Sequence, residues 1–104
     1  MPEPNRNQVQ TEMNRRLDGL QMQSFAELSR LPPHDSTSDA SGVTYTVYLD
    51  KLAAARLQVV VQASWSFKRF LLIFKSGQVI AGGFRISPNG EIESMADRDL
   101  LAFM

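Results

Sequence analysis

His34, the single histidine of the chain, stands beside Asp35, and a histidine next to a carboxylate is the pairing that general-base catalysis and metal ligation both draw on. The chemistry it could do is limited by its setting. No serine nucleophile motif and no second histidine at metal-ligand spacing accompanies it, and two neighbouring residues in a loop seldom hold a catalytic geometry. The remaining acid–base candidates are Glu91, Glu93, Asp97 and Asp99. Carboxylates placed next to a turn act mostly as solvated charge, and Asp97 suits a helix N-terminus. The chain has no cysteine, which excludes disulfides, thiolate catalysis and cysteine–zinc sites. Gly82-Gly83 lacks the strand-to-helix setting of a phosphate-binding loop. A non-enzymatic protein is therefore expected, with no cofactor and no metal.

Binding chemistry has more to work with. Between Val43 and Ser87 the bases Lys51, Arg56, Lys68, Arg69, Lys75 and Arg85 face one acid, Asp50. Trp65, Phe67 and Tyr48 lie among them, and bases interleaved with aromatics can meet phosphate and stack on nucleobases. Against that, the chain carries 11 basic and 11 acidic residues and a net charge of zero, so nothing draws it as a whole to a polyanion. Nucleic acid is the second reading. The first is a protein-interaction or assembly module whose surface draws on Arg56, Trp65, Lys68, Arg69, Leu71, Ile73 and Arg85. Its protein partner is not legible, and the acids after Pro88 are expected to neutralise the basic strands within the fold.

The elements that must position these residues follow from periodicity. Val9, Met13, Leu17, Leu20, Leu28 and Leu31 fall within a sector of about 100° on a helical wheel, a stripe that one face of a helix can bury. This predicts an amphipathic helix from Asn7 to Arg30, with Asn7 as N-cap, Leu17 and Leu20 as anchors, an interruption near Gly19 and a stop at Pro32-Pro33. Residues 32–42 contain no large apolar side chain and read as a mobile loop.

From Val43 the apolar period changes to two, the period of a strand with one buried face. Val43 to Asp50 is a first strand and Arg56 to Lys68 a second. Apolar positions then shift phase to Phe70, Leu72 and Phe74, which places a turn or bulge between about Ser64 and Arg69, because a one-residue slip turns the wrong face inward. Ser76-Gly77 is then a hairpin signal, Val79 to Ile86 a fourth strand, and Pro88-Asn89-Gly90 a turn before a short strand at Glu91 to Glu93. Ser94 with Asp97 marks a last helix, Met95 to Phe103.

The fold class is thus α+β: an N-terminal amphipathic helix packed on a four- to five-stranded antiparallel meander, closed by a short C-terminal helix. Residues 1–6 are expected to be a flexible N-terminus ahead of a single domain, 7–104. The longest apolar run, Phe70 to Phe74, is far short of the roughly 20 residues that cross a bilayer. No membrane partner is expected, and without a basic segment leading into an apolar stretch the expected location is the cytoplasm. Because Phe70 to Phe74 is apolar on both faces, either the C-terminal helix or a second copy of the chain is expected to cover the second face, a symmetric homodimer being the preferred reading.

Overall fold

The structure is a computed structural model that describes residues 5–68 and 75–104, with the side chains of 66–76 outside the description. The order is α1 (Arg6–Gln21), α2 (Phe25–Ser29), β1 (His34–Ser38), β2 (Thr44–Lys51), β3 (Leu57–Lys68), β4 (Lys75–Ile86), β5 (Ile92–Ser94) and α3 (Asp97–Leu100). Short 3-10 turns occupy Ala53–Ala55 and Leu101–Phe103. The five strands form one antiparallel sheet in the order β1-β2-β3-β4-β5. The expected α+β meander with a helix at each end is what the chain adopts.

The N-terminal helix is divided. Asn5, not Asn7, caps α1, its side chain accepting from the Asn7 N–H at 2.8 Å. The helix ends at Gln21, and α2 starts afresh behind Ser24, whose hydroxyl accepts from Glu27 N–H while the Glu27 carboxylate accepts from Ser24 N–H. That reciprocal pair satisfies two orphan donors and lets the chain turn, so the break falls beyond Gly19. Val9, Met13, Leu17 and Leu28 are buried and Leu20 only partly so. Leu28, rather than Leu20, is the second anchor.

The sheet separates two layers. Tyr45 and Leu49 of β2, Leu57, Val59, Val61, Ala63 and Trp65 of β3, and Ile80, Phe84 and Ile86 of β4 form the core with the helices. Gly82 and Gly83 permit the close packing. A Cβ at Gly82 would lie 2.7 Å from Leu17 Cδ1, and one at Gly83 would lie 2.7 Å from the Val59 carbonyl oxygen and 2.9 Å from Met95 Sδ. On the opposite face a smaller cluster joins Val60 to Met95 and Leu100, flanked by Tyr48, Ala81 and Phe103. The C-terminal helix is shorter than expected, and Ala96 precedes it without a side-chain cap because Ser94 is taken up in β5.

Three expectations about the strands are corrected. Residues 32–42 are not without an element, since His34–Ser38 form β1, paired with β2 at each of its positions. All of its side chains are exposed, so it needs no apolar alternation; it is held by ladder bonds and by hydroxyl pairs, Ser36 Oγ to Thr46 Oγ1 at 2.8 Å and Ser38 Oγ to Thr44 Oγ1 at 3.1 Å. No bulge or turn interrupts β3 between Ser64 and Lys68, where pairing with β4 runs unbroken to Lys68↔Lys75. The third strand implied by Phe70, Leu72 and Phe74 lies outside the described residues. Ser76-Gly77 is no hairpin turn but part of β4, opposite Phe67 and Ser66. The glycines with positive φ are Gly42 and Gly90, and these mark the β1–β2 and β4–β5 turns. Among the described residues no helix is long and apolar enough to cross a membrane.

Candidate functional site

Alternation along the strands disperses the residues that the sequence suggested for one surface. Trp65 is 6% exposed and belongs to the helix-side core. Arg56 and Arg85 occupy even and odd positions that, in the observed register, fall on the opposite face: Gln58 pairs with Arg85 as Val59 pairs with Phe84. The sheet itself therefore stands between the indole and these guanidinium groups. Both arginines have acidic neighbours. Arg56 Nη1 lies 3.8 Å from Glu93 Oε2, Arg85 Nη2 lies 3.8 Å from Asp99 Oδ2, and Arg85 Nε donates to Gln58 Oε1 at 3.1 Å. The C-terminal acids reach these bases because β5 lays Glu93 opposite Arg85. Arg69, Leu71 and Ile73 lie outside the described residues, as does the side chain of Lys68.

His34 and Asp35 do not form a dyad. Successive residues of a strand point to opposite faces, and the His34 ring stacks on Tyr48 with centroids 6.1 Å apart and planes at 21°. Phe103 also packs on Tyr48, with ring centroids 5.5 Å apart, while the Tyr48 hydroxyl donates to Gln62 Oε1 at 3.4 Å. Gln62 in turn donates through Nε2 to the Phe103 carbonyl. This row ties β1, β2, β3 and the C-terminal turn together on the face away from α1. Among the described residues no three histidine or carboxylate side chains converge on a point that could hold a metal ion.

The sheet edges are left. In an antiparallel pair, alternate residues aim both backbone groups at the neighbouring strand and the others aim them away. The Pro33 carbonyl accepts from Leu49 N–H at 2.9 Å and Asp39 N–H donates to the Val43 carbonyl at 3.0 Å. Odd positions of this segment therefore face β2, and the N–H and C=O groups of His34, Ser36 and Ser38 face outward. On the other side β5 pairs only with Phe84, Arg85 and Ile86. The bond from Met95 N–H to the Gly83 carbonyl, 3.2 Å, continues that line by one residue. Below it the outward groups of Gly77, Val79 and Ala81 have no neighbouring strand among the described residues. A groove runs along this part of β4, with Ile80 and Ala81 as floor, Arg6 and Gln10 of α1 on one wall, and Asp97, Leu101 and Met104 on the other. Leu101 and Met104 are 67% and 50% exposed.

The turn that presents the β1 edge is tightly built. Asp39 accepts from Ser41 Oγ at 2.7 Å, Ser41 N–H at 3.0 Å and Val43 N–H at 3.1 Å. The Ser41 hydroxyl above all, then the two backbone donors, hold its carboxyl below the usual carboxylate range against an opposing effect of burial. Arg16 braces the strand from the helix side: its guanidinium lies 4.1 Å over the Tyr45 ring, its Nε donates to Glu12 Oε1 at 3.1 Å, and Nη1 donates to Thr37 Oγ1 at 3.3 Å. The Tyr45 phenol is pushed up, chiefly by burial. Arg15 is the main group holding the Glu12 carboxyl down. Sequence reasoning missed β1 and Arg16, although the serines and threonines of 36–38 and 44–46 carried a signal in their pairing potential. No family model, no curated protein and no solved structure matches this chain.

Proposed function

We propose that the protein is a non-enzymatic interaction or assembly module that recruits an extended segment of a protein partner to an edge of its sheet. The observation that supports this is the pair of backbone edges just described, on β1 and on the Gly77–Ala81 part of β4. Unpaired strand edges are templates for a further strand, with main-chain bonds supplying affinity and flanking side chains supplying selectivity. The β4 edge adds the exposed Leu101 and Met104 beside its outward groups. A nucleic-acid surface has less support, since Trp65 is enclosed and Arg56 and Arg85 stand beside Glu93 and Asp99.

The test uses proline, which removes an N–H without changing charge. Ser36→Pro and Val79→Pro each remove a backbone donor that points away from the sheet, so the backbone ladder keeps its bonds; Ser36→Pro also loses the hydroxyl bond to Thr46 Oγ1, and Ser36→Ala, which loses only that bond, is its control. Partners that copurify with the full-length chain are compared across wild type and the two variants. Selective loss with one variant supports the reading. Partners retained by both, at unchanged stability, refute edge recruitment.

A further inference from the structure

We propose that two copies of this chain pair antiparallel through the outer edge of β1, centred on Ser36, with Asp35 of each copy set beside Arg16 of the other. This rests on the reading of the sheet edges as the working surface and names the partner for one of them.

The edge lacks most of the usual safeguards, Asp35 being its one charged side chain. Natural sheets blunt their edges with lysine, proline, bulges or a covering loop. From His34 to Ser38 there is no lysine and no proline, pairing with β2 is continuous, and every side chain is exposed. The outward groups of His34, Ser36 and Ser38 are symmetric about Ser36, so a two-fold axis there joins Ser36 to Ser36 and His34 to Ser38 of the second copy. An isologous contact of that kind closes after one partner.

Charge selects this register over its neighbours. An axis at Asp35 would set the two Asp35 side chains directly opposite each other, and an axis at Thr37 would set Asp35 opposite Asp39. Like charges directly opposite are destabilising. With the axis at Ser36, Asp35 falls opposite Thr37 of the second copy, in the closely spaced kind of pair, with both side chains on the helix face. Thr37 is the residue whose Oγ1 already receives Arg16 Nη1 at 3.3 Å. The guanidinium is held there by Glu12 and by the Tyr45 ring, so it is preorganised for a second carboxylate. Asp35 has no ion-pair partner within the described residues of its own chain, and the two-fold axis supplies the contact twice. α1 packs mainly on β3 and β4 and reaches β1 through Arg16, and every β1 side chain is exposed, which leaves the edge open to a second sheet.

The experiment is light scattering on the full chain over a concentration series, with amide exchange read at low and high concentration. The expected result is a mass that rises from one to two copies, with the amides of His34, Ser36 and Ser38 protected only at high concentration. Ser36→Pro should remain monomeric with an unchanged circular dichroism spectrum. Asp35→Lys should raise the dissociation constant by about tenfold, the scale of two exposed ion pairs turned repulsive, and Arg16→Glu in the same chain should restore it. A wild-type chain that stays monomeric to high micromolar concentration, or a dimer that survives Ser36→Pro, overturns the proposal. If the wild type is monomeric and Ser36→Pro still abolishes capture of another protein, self-pairing fails while edge recruitment stands.

Discussion

Gly83→Ala should destabilise the protein even though alanine is the better residue almost everywhere in a strand. Gly83 has no positive φ to protect, so the added methyl restricts the unfolded chain and contributes about 0.4–1 kcal/mol of stability. The opposing effect is steric. The new Cβ would sit 2.7 Å from the Val59 carbonyl oxygen, 2.9 Å from Met95 Sδ and 3.0 Å from Val60 Cγ2. Sulfur on a flexible chain can move, but a carbonyl bonded into the ladder cannot move without shifting β3. Overpacking costs about 1–3 kcal/mol, and against an immovable carbonyl the cost should lie in the upper part, about 2–3 kcal/mol, so the net loss should be about 1–2.6 kcal/mol. For a domain of this size that lowers the thermal midpoint by about 4–20 °C. Gly19→Ala is the internal control: nothing lies within 4 Å of its added Cβ, and it is an exposed position inside α1, so it should stabilise by about 0.5–1 kcal/mol. Gly82→Ala should fall between them, because the atom it meets, Leu17 Cδ1 at 2.7 Å, is the end of a side chain that can rotate. Thermal and urea unfolding of the three variants gives the ranking. A neutral or stabilised Gly83→Ala would refute the packing of β3, β4 and Met95 described here.

Leu28→Ala should cost about 2–5 kcal/mol as a fully buried leucine, whereas Met22→Ala, at 87% exposed, should stay within about 0.5 kcal/mol; urea midpoints decide. Trp65 should fluoresce with the blue-shifted maximum of an enclosed indole and be poorly quenched by iodide, and water-like emission would mean that it is not in the core. Asp39 has a folded pKa below its ordinary value, so it favours the folded state above the unfolded pKa, and that contribution is lost as pH falls through the folded one. Wild type should therefore lose more stability than Asp39→Asn on acidification below about pH 4, as followed by thermal unfolding; parallel curves would contradict the hydrogen-bonded turn. Titration with short RNA or DNA should show nothing tighter than the non-specific range of about 10⁻⁴ to 10⁻⁶ M at physiological salt.

The parts of the fold legible in the sequence are those where burial imposes a period. Val9, Met13 and Leu17 at helical spacing, and Leu57 to Trp65 at strand spacing, are all buried in the structure, since the hydrophobic effect acts on a face and a face has a repeat. β1 was illegible for the complementary reason. Its five side chains are exposed, and pairing that depends on backbone and hydroxyl groups leaves no apolar rhythm. Ser76-Gly77 misled because the hairpin signal needs a glycine that takes positive φ, as Gly42 and Gly90 do and Gly77 does not. The β2–β3 connection carried no mark either, since Ala54 and Ala55 take the left-handed conformation there at φ 60°, which glycine or asparagine would usually occupy. The candidate site was half legible. Bases and acids could be counted, but which face each occupies depends on register, and register placed Trp65 and Arg85 on opposite sides.

The meander order has a consequence for how the chain assembles. Spatial order and chain order of the strands coincide, so no strand must be threaded between two that have already met. Each new strand can join at a border, and loop-closure entropy is spent in short steps. The β3–β4 hairpin has the longest register, twelve pairs from Leu57↔Ile86 to Lys68↔Lys75, and is the natural seed. Growth from it runs outward in both directions, towards β2 and β1 on one side and β5 on the other. Unfolding should retrace those steps, with the borders opening first and the central ribbon last. The strands offered to a partner are thus also the ones the molecule can release without dissolving its core.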